Sequence, residues 1–374
     1  MQRFYFDHNA TSPLLPEVLE SLAASLAQVY GNASSVHSFG RDAKAQLERA
    51  RRLVAERAGC DPREIVFTSG GTEADNLALL GAGRGAAHVI TGSIEHTAVL
   101  SACAALEREG VRVTYVQPDG RGVVDPDAVR RALRPDTALV SVMHANNELG
   151  TLQPVEEIAR IAREAGALFH CDGVQAFAKV PLNLTDSGIG LYAMSAHKIG
   201  GPKGIGALYV RKGARLSPVL FGGHHERDRR PGTENVPGAV GFGVAAQAFA
   251  GDCAGLRDRL ERAVLERVPG AYINGAGAPR LPNTSNMRFD GADGEALVIA
   301  LDLRGFAVSS GSACSSGALE PSHVLTAIGL KPEQARGSIR ISLGPGNTAE
   351  QVDALAEAIA ESVAHLRAIS AGIR

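Results

Sequence analysis

Ile65-Val66-Phe67-Thr68-Ser69-Gly70-Gly71-Thr72-Glu73-Ala74-Asp75-Asn76 sets the architecture of this chain. Ile65-Val66-Phe67 reads as a short buried strand, the glycine pair breaks it, and Thr72 to Leu80 reads as a helix. The same unit recurs on both sides. Ala43, Leu47, Ala50, Val54 and Ala58 repeat at helical spacing, and Gly59 follows as a stop signal. Strands are expected at His88–Thr91, Val111–Val116, Ala138–Met143 and Ala167–His170, with helices at Thr97–Arg108, Asp127–Leu133 and Val155–Ala165. Residues 192–197 and 207–211 add two strands. Strand–helix alternation with short links predicts an α/β fold, a mostly parallel sheet covered by helices on both faces.

A second region starts near residue 255 and reads as a smaller α+β domain. Its expected strands are Ser285–Phe289, Phe306–Val308 and Ser338–Ser342, and its expected helices are Gly294–Leu303 and Ser322–Ile328. A long C-terminal helix follows from about Thr348, where Thr348-Ala349-Glu350-Gln351 has the form of a capping box. The expected organisation is a large domain over residues 15–254. A small domain is made of residues 1–14 and 255–374.

The Gly70-Gly71-Thr72 turn can bring helix amides and a hydroxyl onto an anion such as phosphate. A simple helix cap explains the same residues equally well. Neither a Walker A sequence nor a dinucleotide fingerprint is present here. Leu191-Tyr192-Ala193-Met194 leads into Ser195-Ala196-His197-Lys198 and then a glycine-rich loop, Ile199 to Gly204. A lysine at such a strand end is placed to hold an aldehyde as a Schiff base, although an ordinary surface lysine has the same local sequence. Asp172 ends another strand, where an open α/β sheet binds its ligands. A carboxylate there can hold a proton on a pyridine nitrogen, bind Mg²⁺ or cap a helix. His96, in a loop after a strand, can stack on a ring or move protons, or be purely structural. Cys314 lies among Ser309-Ser310-Gly311-Ser312-Ala313 and Ser315-Ser316-Gly317, small polar neighbours that suit an exposed nucleophile better than a packed cysteine. Arg340 can clamp a carboxylate or make a surface ion pair.

Composition narrows the classes. The formal net charge of −2 and the lack of a long basic run argue against nucleic acid as a partner. No apolar run approaches a membrane span. Met1 to Asp7 lacks the pattern of a signal peptide. Cys60, Cys103, Cys171, Cys253 and Cys314 are scattered, with no C-x-x-C pair, which points away from a disulfide framework or a cysteine zinc site. A cytoplasmic location is expected.

Nearly end to end, the chain resembles the pyridoxal-phosphate-dependent cysteine desulfurases of the NifS/IscS type, on the class-V branch of fold type I (aspartate aminotransferase-like) enzymes. Phe6-Asp7-His8-Asn9-Ala10-Thr11-Ser12-Pro13, Gly31 to His37, Thr68 to Asn76, Glu95-His96 and Met143 to Gly150 carry the likeness. So do Asp172-Gly173-Val174-Gln175, Ser195 to Lys198, Arg230 to Asn235, Gly311 to Cys314 and Ser338-Ile339-Arg340. The resemblance implies that Lys198 holds pyridoxal 5′-phosphate covalently and later acts as base at the substrate Cα. It implies that Asp172 pairs with the ring nitrogen, Gln175 contacts the ring hydroxyl, and His96 stacks on the ring and assists proton transfer. Thr72, Ser195 and His197 are expected at the phosphate, with Gly71 in the cofactor-binding set. Thr233 is expected to reach the phosphate of a neighbouring subunit, which implies a homodimer. Asn147 and Arg340 are expected at the substrate carboxylate. Cys314 is expected to take sulfur from L-cysteine as a persulfide, freeing alanine and passing the sulfur to an iron–sulfur scaffold or a sulfur relay protein. Alternatives are a selenocysteine lyase or a non-catalytic scaffold that binds the cofactor. His8, the Gly222-Gly223-His224-His225-Glu226 stretch and Cys171 depart from the family pattern.

Overall fold

The computed structural model describes residues 2–310 and 321–372. The chain runs β1 (Phe4–Tyr5), α1 (Pro16–Gln28), α2 (Ser38–Ala58), β2 (Ile65–Thr68), α3 (Gly71–Gly83), β3 (His88–Gly92) and α4 (Thr97–Arg108). It continues with β4 (Arg112–Val116), α5 (Pro126–Ala132), β5 (Thr137–Ser141), α6 (Val155–Glu164), β6 (Leu168–Asp172), β7 (Leu191–Ser195) and β8 (Gly206–Val210). Then come α7 (Val236–Ala248), α8 (Ala254–Arg267), β9 (Ala271–Ile273), β10 (Thr284–Phe289), α9 (Gly294–Asp302) and β11 (Phe306–Ala307). The last elements are α10 (His323–Ala327), α11 (Pro332–Arg336), β12 (Ser338–Ser342) and α12 (Ala349–Gly372).

Seven strands form one sheet in the order β2-β8-β7-β6-β5-β3-β4. β3, β4, β5, β6 and β7 pair in parallel, and β8 runs antiparallel to both of its neighbours. The sheet is therefore mixed and mostly parallel, as the alternation predicts. β2, β3, β7 and β8 are buried at every residue. That is why their sequences are mostly small or apolar: helices cover both faces. α6 shows the complementary pattern, with Val155, Ile158, Ala159, Ile161 and Ala162 turned inward.

A separate core gathers Phe6 with Leu260, Val264, Met287, Phe289, Leu297, Leu301, Ile339, Ile341, Leu355 and Ile359. Here β10 lies between β9 and β12, all antiparallel. β1 pairs in parallel with β11, which fastens the N-terminal segment to this core. The capping box of α12 forms: the Gln351 amide donates to Thr348 Oγ1 and the Thr348 amide to Gln351 Oε1, both at 3.3 Å.

One boundary near the lysine differs from expectation. The strand expected over 192–197 ends at Ser195, and Ala196–Lys198 form a 3₁₀ turn. The turn redirects the chain, so Lys198 does not continue the strand's alternation. The helices α1, α7, α8 and α11 and the short strands β1 and β9 are additional to the expected elements.

Candidate active site

The expected residues collect at the carboxyl ends of β2, β6 and β7. Helix α3 begins directly after β2, so the unpaired amides of its first turn face this edge. Gly71 is required for close approach. A Cβ there would lie 2.6 Å from Val174 Cγ2 and 3.7 Å from Ser195 Cβ. The first turn of α3, the Asp172–Gln175 turn and Ser195 are thus in mutual contact. Gly173 is equally constrained, since a Cβ would sit 1.9 Å from Tyr192 Cζ. Tyr192 packs under the turn that carries Asp172, and its hydroxyl bonds His144 Nδ1 at 2.9 Å.

The N-terminal segment ties the other residues together. Lys198 Nζ donates to the carbonyls of Asn9 at 2.7 Å and Ala10 at 2.8 Å. Gln175 Nε2 donates to the same Asn9 carbonyl at 2.8 Å. Asn9 Nδ2 donates to the Asn147 carbonyl at 3.2 Å, which also accepts Arg340 Nη1 at 3.1 Å. Arg340 Nη2 pairs with Asp7 Oδ1 at 2.7 Å. Ser309 and Arg340 exchange backbone hydrogen bonds, so the chain enters the stretch before Cys314 beside this arginine. Cys314 itself lies outside the described residues. On the far side of that stretch, Ser322 Oγ donates to Glu148 Oε2 at 2.6 Å and His323 Nε2 lies 3.0 Å from the Glu95 carbonyl.

His96 caps α4: its Nδ1 accepts the Ala98 amide at 3.1 Å, which leaves the proton of the neutral ring on Nε2. Burial lowers its basicity, the charge of Asp172 opposes that, and Lys198 and His323 lower it further. Asp172 is buried, with Oδ1 accepting the Val174 amide at 2.9 Å. Burial raises its pKa, while His96, the Val174 amide and Lys198 draw it back. The three ionisable residues therefore sense one another. Burial and the charges of Lys198, Lys203 and Lys179 push His197 down to about 4. Its Nδ1 is 3.2 Å from Thr11 Oγ1. Thr72 is exposed at the start of α3. Thr233 is exposed too, on the rim of a cavity of about 100 Å³ that it shares with Thr68, Ser69 and Arg230. It does not join the Lys198 cluster within one chain.

Among the described residues, nine buried side-chain polar atoms lack a hydrogen-bond partner, and two of them, Ser195 Oγ and Arg340 Nε, lie at this site. An unsatisfied buried donor costs about 1–3 kcal/mol, and at the edge of this cleft a bound ligand can supply the missing partner. Ser195 Oγ beside the first turn of α3 suits a phosphate. Arg340 Nε suits a carboxylate. Lys198 offers an amine, and Asp172 a carboxylate able to face a protonated ring nitrogen. The residues present thus fit pyridoxal phosphate at one end and an amino acid at the other.

Residue reasoning left several participants unassigned. Asp7, Asn9, Glu148 and Lys179 all touch the cluster, yet a backbone carbonyl or a partner carboxylate leaves no distinctive mark in sequence. His8 is buried against Tyr5, with ring centroids 5.1 Å apart, and burial pushes it to about 4. Cys171 is buried, and burial with three nearby carboxylates raises its thiol far above the usual range. Among the described residues, no cluster of three or more His, Cys, Asp or Glu could hold a metal ion. No helix there is long and apolar enough to cross a membrane.

Comparisons with known proteins agree with this geometry. The sequence pattern of the aminotransferase class-V family matches residues 4–355. The chain is 48% identical over 381 residues to a cysteine desulfurase of Trichormus azollae, covering 99% of this chain and 95% of that protein. It is 49% identical over 379 residues to a cysteine desulfurase of Cereibacter sphaeroides, covering 99% and 98%. A solved NifS-like protein superposes with a TM-score of 0.90 at 37% identity, covering 97% of this chain and 100% of that one. SspA in complex with cysteine gives 0.84 at 38% identity, covering 92% and 99%. The chain belongs to the class-V aminotransferase family, on its cysteine desulfurase branch.

Proposed function

We propose that this enzyme is a pyridoxal-phosphate-dependent L-cysteine desulfurase. It converts L-cysteine and an enzyme thiol to L-alanine and an enzyme persulfide. The observation that carries the reading is the meeting of Lys198, Asp172 and His96 beside the partnerless Ser195 Oγ, in a chain with near-full-length cysteine desulfurase relatives. When bound, the cofactor supplies an electron sink for negative charge developing at the substrate Cα.

The chain's own residues do the rest. The α3 amides, Thr72 and Ser195 Oγ would hold the phosphate, with His197 contributing to the same site. Lys198 Nζ would hold the cofactor covalently and serve as the base toward the substrate Cα. Asp172 would keep a proton on the ring nitrogen. His96, neutral with its proton on Nε2, would sit beside the ring and relay protons. Arg340 Nε and Asn147 orient the substrate carboxylate. The Asp7–Arg340 pair holds the guanidinium in place for this. Cys314 is the thiol that takes the sulfur, a role that rests on the resemblance and on its small polar neighbours.

We assign the protein to the cytoplasm and to a homodimer in which Thr233 serves the partner's phosphate. In support, Thr233 is exposed, and Val36 and Phe221 are 90% and 87% exposed. The sulfur acceptor is an iron–sulfur scaffold or a sulfur relay protein. The test uses purified protein loaded with pyridoxal phosphate. A borohydride-sensitive visible band is expected, with alanine and sulfide formed from L-cysteine in the presence of a thiol. Cys314→Ser should keep the band and stop sulfur transfer from L-cysteine. Absence of the band in the parent sinks the cofactor reading. Parent-rate sulfide from Cys314→Ser removes Cys314 as nucleophile. A strong preference for L-selenocysteine makes the enzyme a selenocysteine lyase.

A further inference from the structure

Lys179 lies four residues beyond Gln175, and none of the roles above uses it. Its Nζ donates to Gln175 Oε1 at 3.0 Å and reaches Asn9 Oδ1 at 3.4 Å. Gln175 Nε2 donates to the Asn9 carbonyl, which also accepts Lys198 Nζ. One chain of hydrogen bonds therefore joins Lys179, Gln175, Asn9 and Lys198. A carboxamide has an acceptor end and a donor end, and a charged lysine can only donate. With Lys179 at Oε1, the NH₂ group of Gln175 must occupy the other side.

The backbone supports a built position. Ala178, the residue before Lys179, has a φ of 62°, in the left-handed region. That conformation costs a non-glycine residue about 1–2 kcal/mol. The Arg57 guanidinium clamps the Ala178 carbonyl at 2.7 Å. Lys179 makes no ion pair with a described residue. The ionisable groups around it are Lys198, Arg340, Cys253, His8 and His197. Burial, then the charges of Lys198 and Arg340, push its amine down to about 7. A neutral amine can also accept, so the lock is firmest where the amine is charged.

We propose that Lys179 is a positioning residue that fixes the Gln175 carboxamide with its NH₂ group toward the Asn9 carbonyl. In that orientation Gln175 can donate to an anionic ring oxygen. This rests on the cofactor reading above and adds a residue that touches neither cofactor nor substrate.

The test reads binding and spectrum, not turnover. Apoprotein is titrated with pyridoxal phosphate, and the pH midpoint of the bound cofactor's visible band is recorded. Lys179→Met should bind about tenfold more weakly and raise the midpoint, because the ring oxygen loses a donor. Gln175→Leu should do the same, and the double variant should match Gln175→Leu alone. Lys179→Arg, which keeps the donors, should restore the midpoint. Parent-like binding and midpoint in Lys179→Met overturn the proposal. So does a Lys179→Met shift that adds in full to that of Gln175→Leu, because Lys179 would then act by charge alone. If thermal unfolding shows that the Met variant is not folded, Lys179→Gln takes its place in the same comparison. A parent protein with no visible band defeats the cofactor reading instead, so the two failures are distinct.

Discussion

Replacing Glu226 by alanine should be among the most damaging single changes outside the site. Glu226 and Arg51 form a two-pronged ion pair, Nη1 to Oε2 and Nη2 to Oε1, each at 2.7 Å. Their side chains are only 2% and 3% exposed. Glu226 Oε2 also accepts the Phe67 amide at 3.0 Å, and the guanidinium lies 4.8 Å from the Phe67 ring centroid. The pair holds an unusual turn, since Glu226, Arg227 and Asp228 have φ of 44°, 57° and 62°. Removing one partner of a buried pair costs about 3–5 kcal/mol, because the other charge is stranded. Loss of the acceptor for the Phe67 amide adds about 1–3 kcal/mol. Glu48, 3.2 Å from Arg51 Nε, retains part of the compensation, and the relaxed turn returns about 1–2 kcal/mol. The net expectation is a loss of about 4 kcal/mol in the first urea transition of the apoprotein. Cofactor retention should also fall, because the turn leads to Arg230, which pairs with Glu73 in the first turn of α3 at 2.7 Å. Arg51→Met with Glu226→Leu should recover much of the stability, since no buried charge remains. A loss below about 1 kcal/mol, or an equal loss from Glu226→Ala in an Arg51→Met background, would refute the reasoning.

Ser195→Ala should leave apoprotein stability unchanged or slightly higher, because it removes a partnerless buried hydroxyl, yet weaken pyridoxal phosphate binding about tenfold or more by titration. Glu148 is raised by burial from the usual 4.5 to about 7, against the opposing effects of Ser322 and Arg340. Its contribution is therefore full below 4.5 and is lost as pH rises through 7, a gap worth on the order of 3 kcal/mol. Glu148→Gln should match the parent near pH 5 and exceed it near pH 8 in denaturant titrations; a constant difference across that range would contradict this. Ala178→Gly should stabilise by about 0.5–1 kcal/mol in the same assay, because glycine adopts the left-handed conformation without strain. Gly173→Ala should lower both stability and cofactor binding, since its Cβ would overlap the Tyr192 ring; parent-like behaviour would mean that the turn under Asp172 shifts freely.

What sequence makes legible here follows from which physical constraint each residue answers. β2, β7 and β8 are readable because a strand buried on both faces must be a largely apolar run, and turn residues bound it. α7 is not readable in that way. Val236-Pro237-Gly238-Ala239-Val240-Gly241-Phe242-Gly243 has no polar face and three glycines, which reads as a loop. In the fold it is a helix packed against α1 and α2, and its small residues permit that close packing. α1 escaped notice for the opposite reason: only Val18 and Ser25 are buried, so its stripe is thin. In the site, Lys198, Asp172 and His96 stand out because each must supply an ionisable group at a strand end or helix start. Asn9 could not be assigned that way, because its chief contribution to Lys198 and Gln175 is a carbonyl that any residue possesses. Its side chain then adds bonds to Thr284 and Asn283, joining the lysine to the second core. Only the fold places these atoms together. The N-terminal segment thereby becomes the framework on which Lys198, Gln175, Lys179 and Arg340 share one geometry, and a change at Asn9 should disturb all four at once.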